Sequence, residues 1–304
     1  MTAVLGRASA KINLHLGVGG PRGDGFHELR TIYQSISLHD EISAAPATGW
    51  RLVTRTQEYV DRAALPATDD DIVTRAASLL ADLHGIDPHA DVAVDKAIPI
   101  AGGLAGGSAD AAAALVVLDR LWDLQTPHDA LMDLAARLGS DVPFALLGGT
   151  CLGTGRGEVV EEVPDPGEWS WVVVPSRAGL PTPAVYRHFD ELFPGAGAPA
   201  SGDDLVRALA TGDPRVVAAT LHNDLQEPAL DLRPDLATLI GRGESEGALR
   251  GLVSGSGPTC VFLCESGQQA EVVAEGIRGA GHETVLVATG PDAGAHLVSS
   301  SGTR

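Results

Sequence analysis

From Lys11 to Val18 the chain alternates, with Ile12, Leu14, Leu16 and Val18 on one side and Lys11, Asn13, His15 and Gly17 on the other. That is the period of a half-buried strand, and it predicts that Lys11 and Asn13 point the same way. Gly19 to Gly25 is turn-forming, and a new element begins at Phe26 and His27. Helical spacing follows at Ile72, Ala76, Leu79, Leu80 and Leu83, behind the acidic cluster Asp69, Asp70 and Asp71, which suits a helix N-terminus. Val92 and Val94 alternate through a strand that leads into Lys96 and a glycine-rich segment. A helix is expected from about Ser108, a second near 128–138, and then a loop, LGSDVPF. The stretch 153–167 is rich in Gly, Glu and Pro and marks a boundary, dividing the chain into 1–155 and 156–304. The second part reads as a strand (SWVVVPS), a Pro/Gly-rich loop at 194–202, helices near 203–221 and 234–246, and a second glycine segment (LVSGSGPTCVFL). A helix near 268–280, a strand (TVLVAT) and a polar tail complete it. Strands and helices mix without a regular βαβ repeat, which places the chain in the α+β class.

Composition narrows the functions open to such a chain. Its 304 residues, 44% of them apolar, can build one large or two ordinary cores. A net charge of −19, with no basic patch interleaved with aromatics, argues against nucleic acid and anionic membrane surfaces as partners. Cys151, Cys260 and Cys264 form no CxxC pair and no metal-spaced cluster, so they read as buried thiols of a reducing compartment. The N-terminal segment lacks the apolar run of a signal peptide and no stretch nears 18 uninterrupted apolar residues, so a cytoplasmic protein is expected. Of the 21 basic residues only Lys11 and Lys96 are lysine. In so arginine-rich a chain, a lysine marks a place where a compact ammonium is wanted.

The segment AIPIAGGLAGGSADAAAALVVL (97–118) carries the first chemical signal. It does not fit GxGxxG, and it does not fit GxxxxGK[ST] because Ser108 follows Gly107, which disfavours a dinucleotide fold and a P-loop. The physical ingredients of an anion site remain: glycines that let backbone approach a ligand, and a serine able to cap a helix whose N-terminus favours negative charge. Taken alone, the segment fits a phosphate cradle and a capped loop equally well.

Its company decides between them. The pattern P-x3-GL-x-GGS-x-D with an alanine-rich helix, SAKINLHL before it and LVSGSGPTCVFL after it together resemble the GHMP kinase superfamily. SAKINLHLGVGGPRGDGFHELRT, LGSDVPF, LPTPAVY and HNDLQEPAL narrow the resemblance to its branch acting on a cytidine diphosphate-linked methylerythritol of the non-mevalonate isoprenoid pathway. The resemblance implies a two-domain fold with the active site in the inter-domain cleft, an N-terminal ATP-binding domain (1–155) and a C-terminal domain (156–304) whose last strand is a candidate to return to the first. It implies ATP and Mg2+ as cofactors, a small-molecule acceptor as the partner, and a monomer or homodimer.

Carried residue by residue, it makes Asp141 the catalytic base and Lys11 its partner, which agrees with the needs of an alcohol attacking a γ-phosphate. Asn13 is expected to hydrogen-bond the substrate near its reacting end. Phe26 and His27 are expected to stack on and hydrogen-bond the cytosine, with Phe26 standing where the family usually has Tyr. Tyr186 and Thr182 supply a second stacking ring and a hydroxyl. Lys96, Pro99, Gly102, Gly103, Leu104, Ala105, Gly106, Gly107 and Ser108 are expected around the ATP, Lys96 on the nucleotide side. Asp71 stands where the family has Asn near the adenine. Ala105 replaces a common glycine and Ala109 a common serine, and no residue is assigned to the metal. Two rivals stay open: a superfamily member acting on another alcohol, such as homoserine or mevalonate, and a non-catalytic nucleotide-binding member, which would not be expected to keep both Lys11 and Asp141.

Overall fold

The computed structural model describes residues 3–23, 25–65, 71–100, 102–176 and 178–298, and Asp69, Asp70 and the last part of the polar tail, 299–304, lie outside the described residues. In chain order the elements are β1 (Val4–Pro21), β2 (His27–Ala45), β3 (Trp50–Thr56), α1 (Ile72–His84), β4 (Ala90–Lys96), α2 (Gly106–Leu121), α3 (His128–Leu138), α4 (Val142–Leu147), β5 (Thr150–Gly155) and β6 (Val159–Glu162). They continue with β7 (Trp169–Val174), α5 (Thr182–Leu192), α6 (Asp203–Leu209), α7 (Pro214–Ala218), β8 (His222–Asn223), α8 (Gln226–Leu232), α9 (Pro234–Ser245), β9 (Arg250–Val253), β10 (Cys260–Cys264), α10 (Gly267–Gly279), β11 (Leu286–Gly290) and β12 (His296–Leu297).

Two sheets organise the molecule. The larger runs β12-β1-β2-β4-β3, with β5 on β2, β6 on β5 and β8 on β1; the smaller runs β11-β7-β10-β9. The stretch 153–167 holds the β5–β6 hairpin, which stays with the large sheet, and the passage to β7 in the small one. After β11 the chain leaves the small sheet and pairs as β12 with Gly6 and Arg7 of β1.

The strand expected at Lys11–Val18 is the middle of an 18-residue strand and is not half-buried. Lys11, Asn13 and His15 are as buried as their apolar neighbours. Their side of β1 is covered by the second half of the chain rather than by water: His15 Nε2 lies 3.0 Å from the Ala200 carbonyl, and a Cβ on Gly17 would come within 2.6 Å of the same oxygen. Residues 194–202, legible as a loop, are therefore a lid over β1.

Local signals explain several helix ends. Asp71 caps α1 by accepting from Val73 N, and Gly85 closes it with φ 64°. The helix expected over 203–221 is two, because Gly212 (φ 67°) and Pro214 break it and Asp213 caps the second. LGSDVPF is not wholly loop, since α4 begins at Val142. The alanine-rich helix begins at Gly106, not Ser108, and its cap position is Ala105 in the left-handed region (φ 55°, ψ 33°), with no side-chain cap. Ser108 is thus inside the first turn and caps nothing. Ala111 to Ala114 are fully buried, and small side chains are required because α2 lies close on the sheet: a Cβ on Gly6 would sit 2.5 Å from Val117 Cγ2.

Cys151, Cys260 and Cys264 are buried and free, and burial pushes each thiol up to about 12, which keeps it protonated and unreactive. Among the described residues no helix is long and apolar enough to cross a membrane.

Candidate active site

A cavity of about 780 Å³ opens between the two sheets, and nearly every side chain expected to carry chemistry lines it. Lys11 stands at its floor. The Lys11 ammonium lies 3.2 Å from Asp141 Oδ2 and donates to Asn13 Oδ1 at 3.1 Å. Asn13 in turn donates to Thr31 Oγ1, which donates to the His15 carbonyl across the β1–β2 pair. Asp141 sits at the start of α4, yet its carboxylate caps no helical N–H. The side chain is left to Lys11 and the cavity.

Tyr33, for which the sequence offered no signal, completes this cluster. Its ring lies under the Lys11 ammonium at 5.1 Å, and its buried hydroxyl feels the Asp141 charge. Burial first, and then the Asp141 charge, hold the Tyr33 phenol well above its ordinary range, so it serves as a donor. Gly157 gives that hydroxyl room, for any Cβ there would collide with it.

The glycine loop faces the cavity from the other side. Gly103 takes φ 77°, and a Cβ on it would collide with the Ser254 carbonyl, while a Cβ on Gly102 would lie 2.7 Å from Thr259 Oγ1. The two glycine segments are therefore packed backbone to backbone, with Ser254 Oγ donating to the Gly103 carbonyl. Asn223 of HNDLQEPAL braces the second segment by donating to the Val253 and Gly255 carbonyls. Pro99, Gly102, Gly103, Ala105, Gly106, Gly107 and Ser108 line the cavity, and a Cβ on Gly107 would meet nothing within 4 Å. The first N–H groups of a helix have no intrahelical partner, so the start of α2 offers open donors there. Leu104 departs from expectation: its side chain is fully buried in the core, and its carbonyl accepts from Lys11 N.

Lys96 also lines the cavity, but its charge is already engaged. The ammonium donates to Asp40 Oδ2 at 2.6 Å and to Asp110 Oδ2 at 2.5 Å, all three side chains being buried. Asp40 accepts with its other oxygen from Ala97 N and Ile98 N, so the trio ties β2, the end of β4 and the first turns of α2 together. Burial and the Asp40 charge push the Asp110 carboxyl well up, and its Oδ1 has no hydrogen-bond partner among the described residues. Lys96 thus stands beside the glycine loop, as expected of a residue on that side of the cavity, with its charge shared between two carboxylates. Asp71 lines the cavity with one oxygen occupied by Val73 N.

The remaining wall carries the aromatic residues. His27 is buried, donates to Asp190 Oδ1 at 2.8 Å, and packs on Tyr186 with ring centroids 5.0 Å apart. Phe26 beside it is 51% exposed and lies under the Arg156 guanidinium at 5.0 Å. Thr182 Oγ1 pairs with Ser256 Oγ at 2.8 Å, which links α5 to the second glycine segment. Chemically, the cavity joins a carboxylate and an ammonium at its floor to open backbone donors on one side and flat apolar rings on the other. Among the described residues no group of three or more His, Cys, Asp or Glu could hold a metal alone.

Comparison with known proteins agrees with this geometry. The family model described as GHMP kinases N terminal domain matches residues 71–149, and that described as GHMP kinases C terminal matches 205–283. The chain is 60% identical over 294 residues to a 4-diphosphocytidyl-2-C-methyl-D-erythritol kinase of Nocardioides sp., covering 96% of this chain and 99% of that one. It is 32% identical to a 4-(cytidine 5'-diphospho)-2C-methyl-D-erythritol kinase of known crystal structure, at a TM-score of 0.77 over 95% of this chain and 98% of the other. A homoserine kinase from Cytophaga hutchinsonii, 16% identical, superposes with a TM-score of 0.76 over 98% of each chain and shares the fold.

Proposed function

The chain belongs to the 4-diphosphocytidyl-2-C-methyl-D-erythritol kinases of the GHMP kinase superfamily, and we propose that its cleft holds ATP against the glycine loop, the cytidyl substrate against α5, and Asp141 as the base between them. It is an ATP-dependent small-molecule kinase that phosphorylates the 2-hydroxyl of 4-diphosphocytidyl-2-C-methyl-D-erythritol, giving the 2-phosphate and ADP, in the non-mevalonate isoprenoid pathway. The two units, the first running through the β5–β6 hairpin with β12 returned to it and the second the remainder, close on the ligands from opposite sides.

One observation carries the assignment of roles: a buried ammonium held 3.2 Å from a carboxylate on the floor of a cavity that the glycine loop and the Phe26–His27–Tyr186 group share. Asp141 accepts the proton of the attacking hydroxyl, and Lys11 stabilises the charge that develops as the phosphoryl moves. The acceptor carbon also bears a methyl group, so the hydroxyl is tertiary and crowded. Alignment then matters more, and Asn13, fixed by Thr31 and Lys11, orients the reacting end. His27 reads the edge of the cytosine, Phe26 and Tyr186 hold its faces, and Thr182 supplies a hydroxyl contact. Asp71 keeps one oxygen toward the adenine.

Magnesium belongs to this reading through the phosphates. Asp141 faces Lys11, Asp110 holds Lys96 and Asp71 caps α1, whereas among the described residues no hydrogen bond engages the Ser108 hydroxyl on the cavity wall. That donor set fits an ion held mainly through the phosphates, with Ser108 the protein residue that would hold it. When bound, it neutralises charge on the β- and γ-phosphates.

A coupled ADP-release assay with the cytidyl substrate tests the base. Asp141→Asn is expected to lower turnover by about 10²–10⁴-fold with ATP affinity kept, and equal activity in the two proteins would remove Asp141 from the role. Turnover with homoserine or mevalonate in place of the cytidyl alcohol would overturn the substrate.

A further inference from the structure

The cavity wall holds two cations that the roles above leave without a task. Lys11 faces Asp141, Lys96 lies between two carboxylates, and the His27 ring is held by Asp190. Arg156 and Arg187 remain.

Arg156 occupies the β5–β6 turn between Gly155 (φ 72°) and Gly157 (φ 100°), both left-handed, so the turn is tight and its tip is fixed against Tyr33. Its guanidinium lies over the Phe26 ring, and its ion pair with Glu158 in the same turn is long, at 3.4 Å, with the arginine side chain 39% exposed. Arg187 follows Tyr186 on α5, exposed, and among the described residues no ion pair engages it. The two arginines thus flank the Phe26–His27–Tyr186 group, one carried by the large sheet and one by the helix facing it.

A ligand whose cytosine sits in that group carries its diphosphate one ribose beyond the base. The surroundings are hostile to it. The chain carries a net charge of −19, and Asp71, Asp110, Asp141 and Asp190 all line the same cavity. The open N–H groups of α2 stand on the opposite side, with the nucleotide.

We propose that Arg156, with Arg187 on α5 beside the same group, binds the diphosphate of the cytidyl substrate, so that the phosphate charge as well as the base determines which ligand this side of the cleft accepts. The proposal rests on the cytidyl-substrate reading. Arginine suits the place better than lysine, because a planar guanidinium can lie on the Phe26 face while its edge offers a fork of donors to phosphate oxygens. The same stacking holds Phe26 beside the base, so one residue couples the two halves of the ligand.

Binding of cytidine, CMP and CDP, measured by calorimetry with a non-hydrolysable ATP analogue saturating the other site, separates charge from base. In the wild type, affinity is expected to rise about tenfold or more from cytidine to CDP. Arg156→Gln is expected to abolish most of that rise, Arg187→Gln part of it, and Arg156→Lys to restore part, with affinity for the ATP analogue unchanged. An undiminished rise in both glutamine variants would overturn the proposal. So would an equal loss for cytidine and CDP in Arg156→Gln, which would mean that Arg156 only props Phe26. A wild-type protein that binds neither cytidine nor CDP would instead bring down the cytidyl reading on which the proposal stands.

Discussion

Two lysines in a chain with 19 arginines are the residue-scale signal that the structure explains most directly. The Lys11 ammonium is enclosed by Asn13 Oδ1, Asp141 Oδ2 and the Tyr33 ring, with 8% of its side chain exposed. A guanidinium is wider and planar, and its fork would push Asp141 or the Tyr33 ring aside. Lys11→Arg keeps the charge, so a role limited to electrostatic attraction would leave turnover nearly normal. The positioning role argued above predicts that kcat falls by at least about tenfold while KM for ATP changes little, a split that steady-state kinetics reads directly. Ala105 makes the complementary point. A non-glycine residue at φ 55° is held where L-residues are disfavoured by about 1–2 kcal/mol, which is the physical sense of the glycine common at that position in the family.

At the scale of elements, what could be read in the sequence was what depends on neighbours in the chain. The α+β class, the caps at Asp71 and Gly85, the run of β4 into the glycine loop and the sidedness of Lys11 and Asn13 follow from local pattern. The common phosphate templates failed on the glycine segment, and only its combination with distant motifs identified it. What escaped was polar residues whose partners are far away: Asp40 is 56 residues from Lys96, and Asn223 is 30 from Val253. A buried polar side chain in a strand or loop looks like a solvated one until its partner is known. The Lys96 trio shows the energetic consequence. Removing the cation leaves two carboxyls facing each other without water, so Lys96→Met is expected to destabilise the protein by about 3–5 kcal/mol. Asp110 is already pushed up by burial and by Asp40, so the neutral Asp110→Asn is expected to be far milder. Urea midpoints of the two variants check this order, and equal losses would contradict it.

Across the whole molecule, the last described segment decides how the two sheets are joined. It leaves the small sheet at Gly290, crosses to the large one and pairs as β12 with β1, so this segment ties together the two walls of the cleft. Backbone alone does not hold the crossing. The His39 ring donates to Asp292 Oδ2 at 2.5 Å, Ser9 Oγ donates to the same oxygen, and Ser35 Oγ donates to the Asp292 carbonyl, so strands β1 and β2 grip one aspartate. Burial pushes the Asp292 carboxyl up, but the Ala293 N–H, the His39 ring and the Ser9 hydroxyl outweigh it and bring the carboxyl below its ordinary range. A carboxyl lowered on folding stabilises the native state fully above its unfolded value of about 3.9, and that contribution fades as pH falls through the lower folded value. Asp292→Asn is therefore expected to lose about 1–3 kcal/mol near neutral pH, with the difference from wild type shrinking below about pH 4. Urea unfolding of both proteins from pH 7 down to pH 3 measures it. A difference that stays constant over that range would mean that the strap is held by shape and backbone pairing, and that the charge on Asp292 has no part in joining the two sheets.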